Sequence, residues 1–460
     1  MSRILISIDH KWRDLPDRVF LGHLLEQRGH TVFFTRNGFE RGGALRHRVD
    51  AVVYNHVYSE VRQRDLPFLR SLGVLNIVVP TEGMAMVAQI RKIIAGGFHS
   101  FENVDLMTMW NDELRTMALE MKTLPPDRVL ATGAPRFDFY SPPLNRLLVT
   151  REQFAAKYGT NSSWPTVTIA TNFTQADVAA SPQRMQAYLT DYLRMGLDKV
   201  LPHFKELPQM ESDTREFLLK AIDTFVREAK GINIVLRPHP GENHVFYSDF
   251  ARRVAERAPN CRVALPIREY FWDVIAVTDI LVQRSCVTGY EAWQRGLPTL
   301  EVRINPKEWY ISEDHDAGCD VVRDEAGMLE RIRHYLAGGA IPAAQVEART
   351  PRLHRQFGPL DGKAIQRTAD AIHARVSAGP PACFPFSVRH AWSRLKYGLR
   401  TAGDFALSDL KIYGVRGHDK FGHFDRFIHF ADVEVWRAKF QSLDRYAATP
   451  EGAPVRQPSA

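Results

Sequence analysis

Asn233-Ile234-Val235-Leu236-Arg237-Pro238-His239-Pro240-Gly241-Glu242-Asn243 begins as a short apolar run and ends in a cation, two prolines around a histidine, and a glycine. The apolar run suits a strand of a parallel sheet covered on both faces. In open α/β sheets, ligands bind beyond the carboxyl ends of the strands. The two prolines fix φ and remove competing amide donors, so His239 is held rigidly on that rim. An imidazole there can donate to a phosphate oxygen, with Arg237 adding charge beside it and Pro240 closing the turn. The plainer alternative is a strand-ending turn with an incidental histidine. The strand in front, the flanking Arg237 and Gly241 favour a ligand site.

Working outward, the same strand-and-helix alternation runs along most of the chain. In the first part the pattern predicts strands at residues 3–8, 31–34, 51–54, 76–80, 106–110 and 128–132, with a helix over 18–28 closed by Gly29. Pro142-Pro143 and the polar stretch 159–164 mark a break around one helical segment near 151–157. A second series follows, with predicted strands at 166–170, 233–237, 262–265, 280–283 and 299–303. Its predicted helices cover 214–230 (capped by Ser212 or Asp213), 246–257, 287–295, 325–336 and 363–377. Strands alternating with helices imply doubly wound α/β layers. The expected organisation is a first Rossmann-like lobe over 1–145, a second over 160–375, and a separate tail over 376–460, with the two lobes facing a cleft.

Four further segments fall at strand ends. Ile280–Gln283 is followed by Arg284-Ser285-Cys286-Val287-Thr288 at the start of a helix, where free amides and the positive helix end suit a phosphate. Ser285 and Thr288 can add hydroxyl donors, or Ser285 can act as a plain N-cap. Glu291, one to two turns in, can accept from ribose hydroxyls or face solvent. In the first lobe, Val78-Val79-Pro80-Thr81-Glu82-Gly83 ends a strand in an acid and a glycine, and a carboxylate opposite a nucleotide can take a proton from an acceptor hydroxyl. After the first strand of the second lobe comes Thr171-Asn172-Phe173, whose Asn172 amide can bond donor phosphate or base, or cap a helix. Thr132-Gly133-Ala134-Pro135-Arg136-Phe137-Asp138 forms a rigid corner, with Arg136 paired to Asp138 or turned to the cleft.

Composition narrows the classes. The chain has 460 residues, 45% apolar and 25% charged, as expected of a globular protein of two domains. No apolar run is long enough to span a membrane, and the amino-terminal residues lack a secretory pattern, so a cytoplasmic location is expected. Cys261, Cys286, Cys319 and Cys383 show no paired spacing, so neither a disulfide framework nor a zinc site is expected. Glu313-Asp314-His315-Asp316 reads as an exposed acidic loop rather than a metal centre. The net charge of +7 is concentrated in the tail, which holds 12 Lys and Arg against 8 Asp and Glu from Val376 onward. Arg389, Arg394, Lys396 and Arg400 interleave with apolar residues at helical spacing. That tail either packs back across the lobes or rests on the anionic inner face of a membrane. No nucleic-acid motif accompanies the charge, so nucleic acid is not an expected partner.

Taken in order, Thr81-Glu82-Gly83, Thr132 to Asp138, Thr171-Asn172-Phe173, Arg237 to Pro240, and Ser285 with Glu291-Ala292 and Gly296-x-Pro298 resemble bacterial surface carbohydrate biosynthesis proteins. More distantly they resemble the GT-B sialyltransferases, polysialyltransferases and Kdo transferases of capsule and lipopolysaccharide assembly. The resemblance covers about residues 1–375. It implies a GT-B glycosyltransferase, independent of metal. In those enzymes an acid-acid-Gly motif supplies the base and a His-Pro motif binds the CMP of the donor. Glu82 and His239 are the matching positions, with Gly83 and Arg136 on the acceptor side. Thr81 departs from the pattern, because relatives carry a second acid there. The implied partners are a CMP-linked nucleotide sugar as co-substrate, with no other cofactor, and a glycan or lipid-linked glycan acceptor. Two other classes fit the same motifs: a CDP-glycerol-type phosphotransferase and a non-catalytic member of a polysaccharide assembly complex.

Overall fold

A computed structural model describes residues 1–84, 88–95, 100–305, 307, 309, 313–380 and 428–447. Twelve strands form two parallel sheets among these residues. The first holds β1 (Arg3–Ile8), β2 (Thr31–Arg36), β3 (Ala51–Tyr54), β4 (Leu75–Val78), β5 (Leu106–Met109) and β6 (Val129–Ala131), in the order β2-β1-β3-β4-β5-β6. The second holds β7 (Thr166–Ala170), β8 (Ile232–Arg237), β9 (Cys261–Ala264), β10 (Ile280–Gln283), β11 (Thr299–Val302) and β12 (Asp320–Val322), in the order β12-β11-β10-β7-β8-β9. β3, β4, β5, β7, β8, β10 and β11 are buried along their whole length, as expected of strands in a parallel sheet covered on both faces. Helices cover both faces, giving the expected two-lobe α/β architecture.

Each sheet reverses its winding direction once. From β1 the chain steps to β2 on one side, then to β3 on the other. From β7 it steps through β8 and β9, then returns to β10 on the opposite side. A crevice opens beyond the strand ends at each reversal, and ligands of open α/β sheets bind in such crevices. The first lies between the ends of β1 and β3, the second between the ends of β7 and β10.

The end of the chain returns to the first lobe. Helix Ala364–Ser377, grouped with the second lobe in the sequence reading, lies against helix Lys11–Gln27. Helix Phe430–Ala447 packs on the same helix and buries Val433, Trp436 and Phe440 in an apolar core to which both lobes contribute. Trp436 Nε1 donates to Tyr270 Oη at 3.0 Å, and His23 Nε2 meets Asp444 at 2.7 Å. This part of the tail packs back on the protein. The basic stretch 389–400 lies outside the described residues. Among the described residues no helix is long and apolar enough to cross a membrane.

Several boundaries differ from the sequence reading. The first helix starts at Lys11, because His10 Nδ1 accepts from Trp12 N and Asp14 accepts from the amides of Asp9 and His10. The long helix starts at Leu207, so Ser212 and Asp213 lie inside it and cap nothing. Strand β12 and helices Glu60–Ser71, Pro182–Arg194 and Ala343–Phe357 had no counterpart in the apolar pattern.

Candidate active site

The two reversal crevices face one another across a single cavity of about 590 Å³. Second-lobe residues on its wall include Thr171, Asn172, Arg237 to Gly241, Ser285 to Thr288 and Glu291. The first lobe contributes the ends of β1, β3 and β4 together with Trp110 and Arg136. The sequence-derived residues from both lobes therefore meet at one place.

The loop after β8 is held from beneath by Glu242. Its buried carboxylate accepts from His239 N at 2.7 Å, from Thr171 Oγ1 at 2.5 Å, and from Tyr247 Oη. His239 Nδ1 accepts from Gly241 N at 3.0 Å. An imidazole nitrogen that accepts an amide proton carries none of its own, so in the neutral ring the proton sits on Nε2. Burial pushes the His239 pKa down to about 4, against the opposing pull of Glu82. At neutral pH His239 is thus an uncharged Nε2–H donor on the cavity wall.

Arg237 lines the cavity and also braces its wall. Its guanidinium donates to the carbonyls of Pro266, Ile267 and Glu269 at 3.1, 2.8 and 2.8 Å. It fixes the loop after β9. Ser285 is also otherwise engaged, being neither an N-cap nor a free hydroxyl. Its amide and Oγ both donate to the buried Glu301 carboxylate at 2.9–3.0 Å, which holds it at φ +39. A non-glycine residue in that region is strained, and the three hydrogen bonds hold the turn against relaxation. The helix then begins at Val287 with Cys286 as its cap residue and no side-chain cap, so the positive helix end meets the cavity unmasked. Thr288 Oγ1 is buried there, with the Cys286 thiol as its neighbour.

On the facing wall Glu82 follows β4, with its side chain 63% exposed. Arg13 Nη1 donates to it at 2.9 Å and Nη2 donates to Asp9, so one guanidinium bridges carboxylates from the ends of β1 and β4. Burial works against the Arg13 charge, but Glu82, Asp14, Asp9 and Asp17 together raise its pKa above the ordinary value. Thr81, which precedes Glu82, is buried. Asp9 brings an acid to the same spot from another strand. Gly83 is required sterically, since a Cβ there would lie 2.3 Å from the Trp110 ring.

Arg136 does not pair with Asp138. It forms an ion pair with Glu291, which also accepts from Tyr140 Oη. Glu291 is buried on the cavity wall rather than turned to solvent. The pair joins the corner after β6 to the helix after β10, so it ties the lobes together beside the cavity. Asp138 instead accepts from the amides of Ala364 and Ile365, at the start of the returning helix. The Glu313–Asp316 segment is a short helix rather than an exposed loop. His315 is fully buried beside Glu301, while Asp314 and Asp316 pair with Arg355 and Arg303.

The sequence reading missed Asp9, Trp12, Arg13 and Asn55. The signal was present: Ile8-Asp9-His10 and Tyr54-Asn55-His56 each place polar residues at the carboxyl end of a buried strand, as Thr81-Glu82 does.

The chain matches no protein-family model and no curated protein. Among solved structures it is similar to the S. aureus MnaA–UDP co-structure, at 11% identity over 84% of this chain and 100% of that one, with a TM-score of 0.51. It is similar to the wall teichoic acid polymerase TagF soaked with CDPG, at 10% identity over 82% of this chain and 89% of that one, with a TM-score of 0.51. The UDP-GlcNAc 2-epimerase from Neisseria meningitidis bound to UDP-GlcNAc aligns at 11% identity over 80% of this chain and 99% of that one, with a TM-score of 0.49. At these identities the likeness to the MnaA and TagF structures is one of fold, and that fold is the two-lobed GT-B arrangement.

Proposed function

We propose that the chain is a GT-B glycosyltransferase that moves a sugar from a CMP-linked donor, an acidic sugar such as Kdo or a nonulosonate, onto a surface polysaccharide or lipopolysaccharide precursor. The observation that carries this reading is the facing of a neutral His239 donor from one lobe and the Glu82–Arg13–Asp9 cluster from the other across one cavity. The donor nucleotide lies on the second lobe, its phosphate between His239 Nε2–H and the unmasked helix start at Val287. The acceptor enters from the first lobe. Glu82 takes the proton of its hydroxyl as the oxygen bonds to the anomeric carbon. The bond from that carbon to the phosphate oxygen breaks, and the charge left on the phosphate is met by His239. The reaction belongs on the cytoplasmic side, where activated nucleotide sugars are made, and the tail is the candidate contact with an anionic membrane.

A melting screen with CMP, UDP and GDP tests the donor class, because a ligand at 100 times its Kd stabilises the folded state by about 2.7 kcal/mol. CMP is expected to raise the melting temperature. A clear shift with UDP or GDP and none with millimolar CMP overturns the CMP assignment. Product mass then separates sugar transfer from transfer of glycerol phosphate, the alternative chemistry on this fold.

A further inference from the structure

Asn55 on the cavity wall takes no part in the transfer proposed above. Asn55 directly follows β3, at the winding reversal of the first sheet and between the ends of β1 and β4 that carry Asp9 and Glu82. Its residue is only 1% exposed, and both Oδ1 and Nδ2 are buried without a hydrogen-bond partner. Buried amides in folded proteins are almost always paired, because an unpaired one forfeits its hydration with nothing in return. Trp12 Nε1 on the same wall is likewise buried and unpartnered.

We propose that Asn55 anchors an acceptor subsite that grips two adjacent hydroxyls of a carbohydrate, with Trp12 beside it. The chemistry follows from the amide itself. A carboxamide presents one acceptor and one donor side by side, and a vicinal diol presents the complementary pair. A phosphate would offer no proton to Oδ1, and an alkyl chain would leave both atoms unpaired. Trp12 adds an apolar ring face and an N–H donor, a combination suited to a sugar ring. The subsite lies on the Glu82 side of the cavity, so a sugar held there has its remaining hydroxyls near the carboxylates. Calling it the acceptor side rests on the function proposed above; diol recognition does not.

The test uses the full chain without nucleotide and saturation-transfer NMR with methyl glycosides of mannose, galactose and N-acetylneuraminic acid at millimolar concentration. At least one glycoside is expected to receive saturation from the wild-type protein, with the signal falling at least fivefold in Asn55→Leu and Asn55→Asp. Asn55→Leu removes the amide at similar volume and should melt at or above the wild-type temperature, which a structural amide would not allow. No signal from any glycoside on the wild type, as when ordered water alone satisfies Asn55, overturns the proposal. So does a signal that survives both substitutions, or failure of both variants to fold. Methyl glycosides carry no phosphate, so the nucleotide screen can fail without affecting this result, and the reverse.

Discussion

His239 separates two roles that an alanine substitution would confuse. Its Nδ1 holds Gly241 N at 3.0 Å and so braces the loop, while its Nε2–H is the donor assigned to the phosphate. His239→Asn keeps the first role, because the shorter side chain can offer Oδ1 to the same amide, and removes the second. A hydrogen bond to a charged partner contributes about 1.5–3 kcal/mol. At about 1.4 kcal/mol per tenfold, its loss weakens nucleotide binding roughly 10- to 150-fold. His239→Ala loses brace and donor together and should bind at least as weakly, with the loop no longer fixed. Isothermal titration with the nucleotide that gives the largest melting shift reads the difference, and circular dichroism confirms that each variant is folded. If His239→Asn binds within twofold of wild type while His239→Ala does not, the imidazole is only a brace and the donor argument fails.

Other parts of the structure make equally direct demands. Arg136→Ala leaves Glu291 buried with its cation removed and should destabilise the protein by about 3–5 kcal/mol in urea melts, with Arg136→Ala/Glu291→Gln recovering part of that loss. Gly83→Ala drives a methyl group into the Trp110 ring and should cost about 1–3 kcal/mol, and an unchanged melting curve would mean that this wall yields easily. Trp436→Ala removes a buried ring and its bond to Tyr270, and a loss of about 3–5 kcal/mol is expected if the last helix belongs to the fold. Burial pushes the Asp138 carboxyl up to about 6, above its ordinary value in the unfolded chain, so the folded state holds the extra proton between about pH 4 and 6. That contribution is complete below pH 4 and is lost as the pH rises through 6, at no more than about 1.4 kcal/mol per pH unit. Asp138→Asn should flatten the pH dependence of urea stability in that window by the missing slope.

The sheets were legible in the sequence because strands buried on both faces leave short apolar runs that little else produces. Pro238-His239-Pro240 and Thr81-Glu82-Gly83 were legible for the same reason, since each directly follows such a run. What could not be read was which partner each polar side chain chooses. Arg237 and Ser285 sit at strand ends exactly as ligand residues do, yet one serves three carbonyls and the other a glutamate sixteen residues away in the sequence. Arg136 could be matched to Asp138 two residues on, and only the tertiary fold brings Glu291 to it. The first helix begins earlier than its apolar spacing indicates and runs through Pro16. Capping by His10 and Asp14 outweighs the hydrogen bond that this proline removes.

The return of helices Ala364–Ser377 and Phe430–Ala447 to the first lobe sets a timetable for the chain on the ribosome. β1 to β6 are made before the second lobe, but the surfaces that close the core around Lys11–Gln27 are made after its sheet. Roughly 230 residues separate β6 from the first returning helix, a wait of roughly 10–50 s at about 5–20 residues per second. The second sheet is fully synthesised within that interval and needs neither helix to pair its strands. The nascent first lobe meanwhile carries an open apolar seam along Lys11–Gln27.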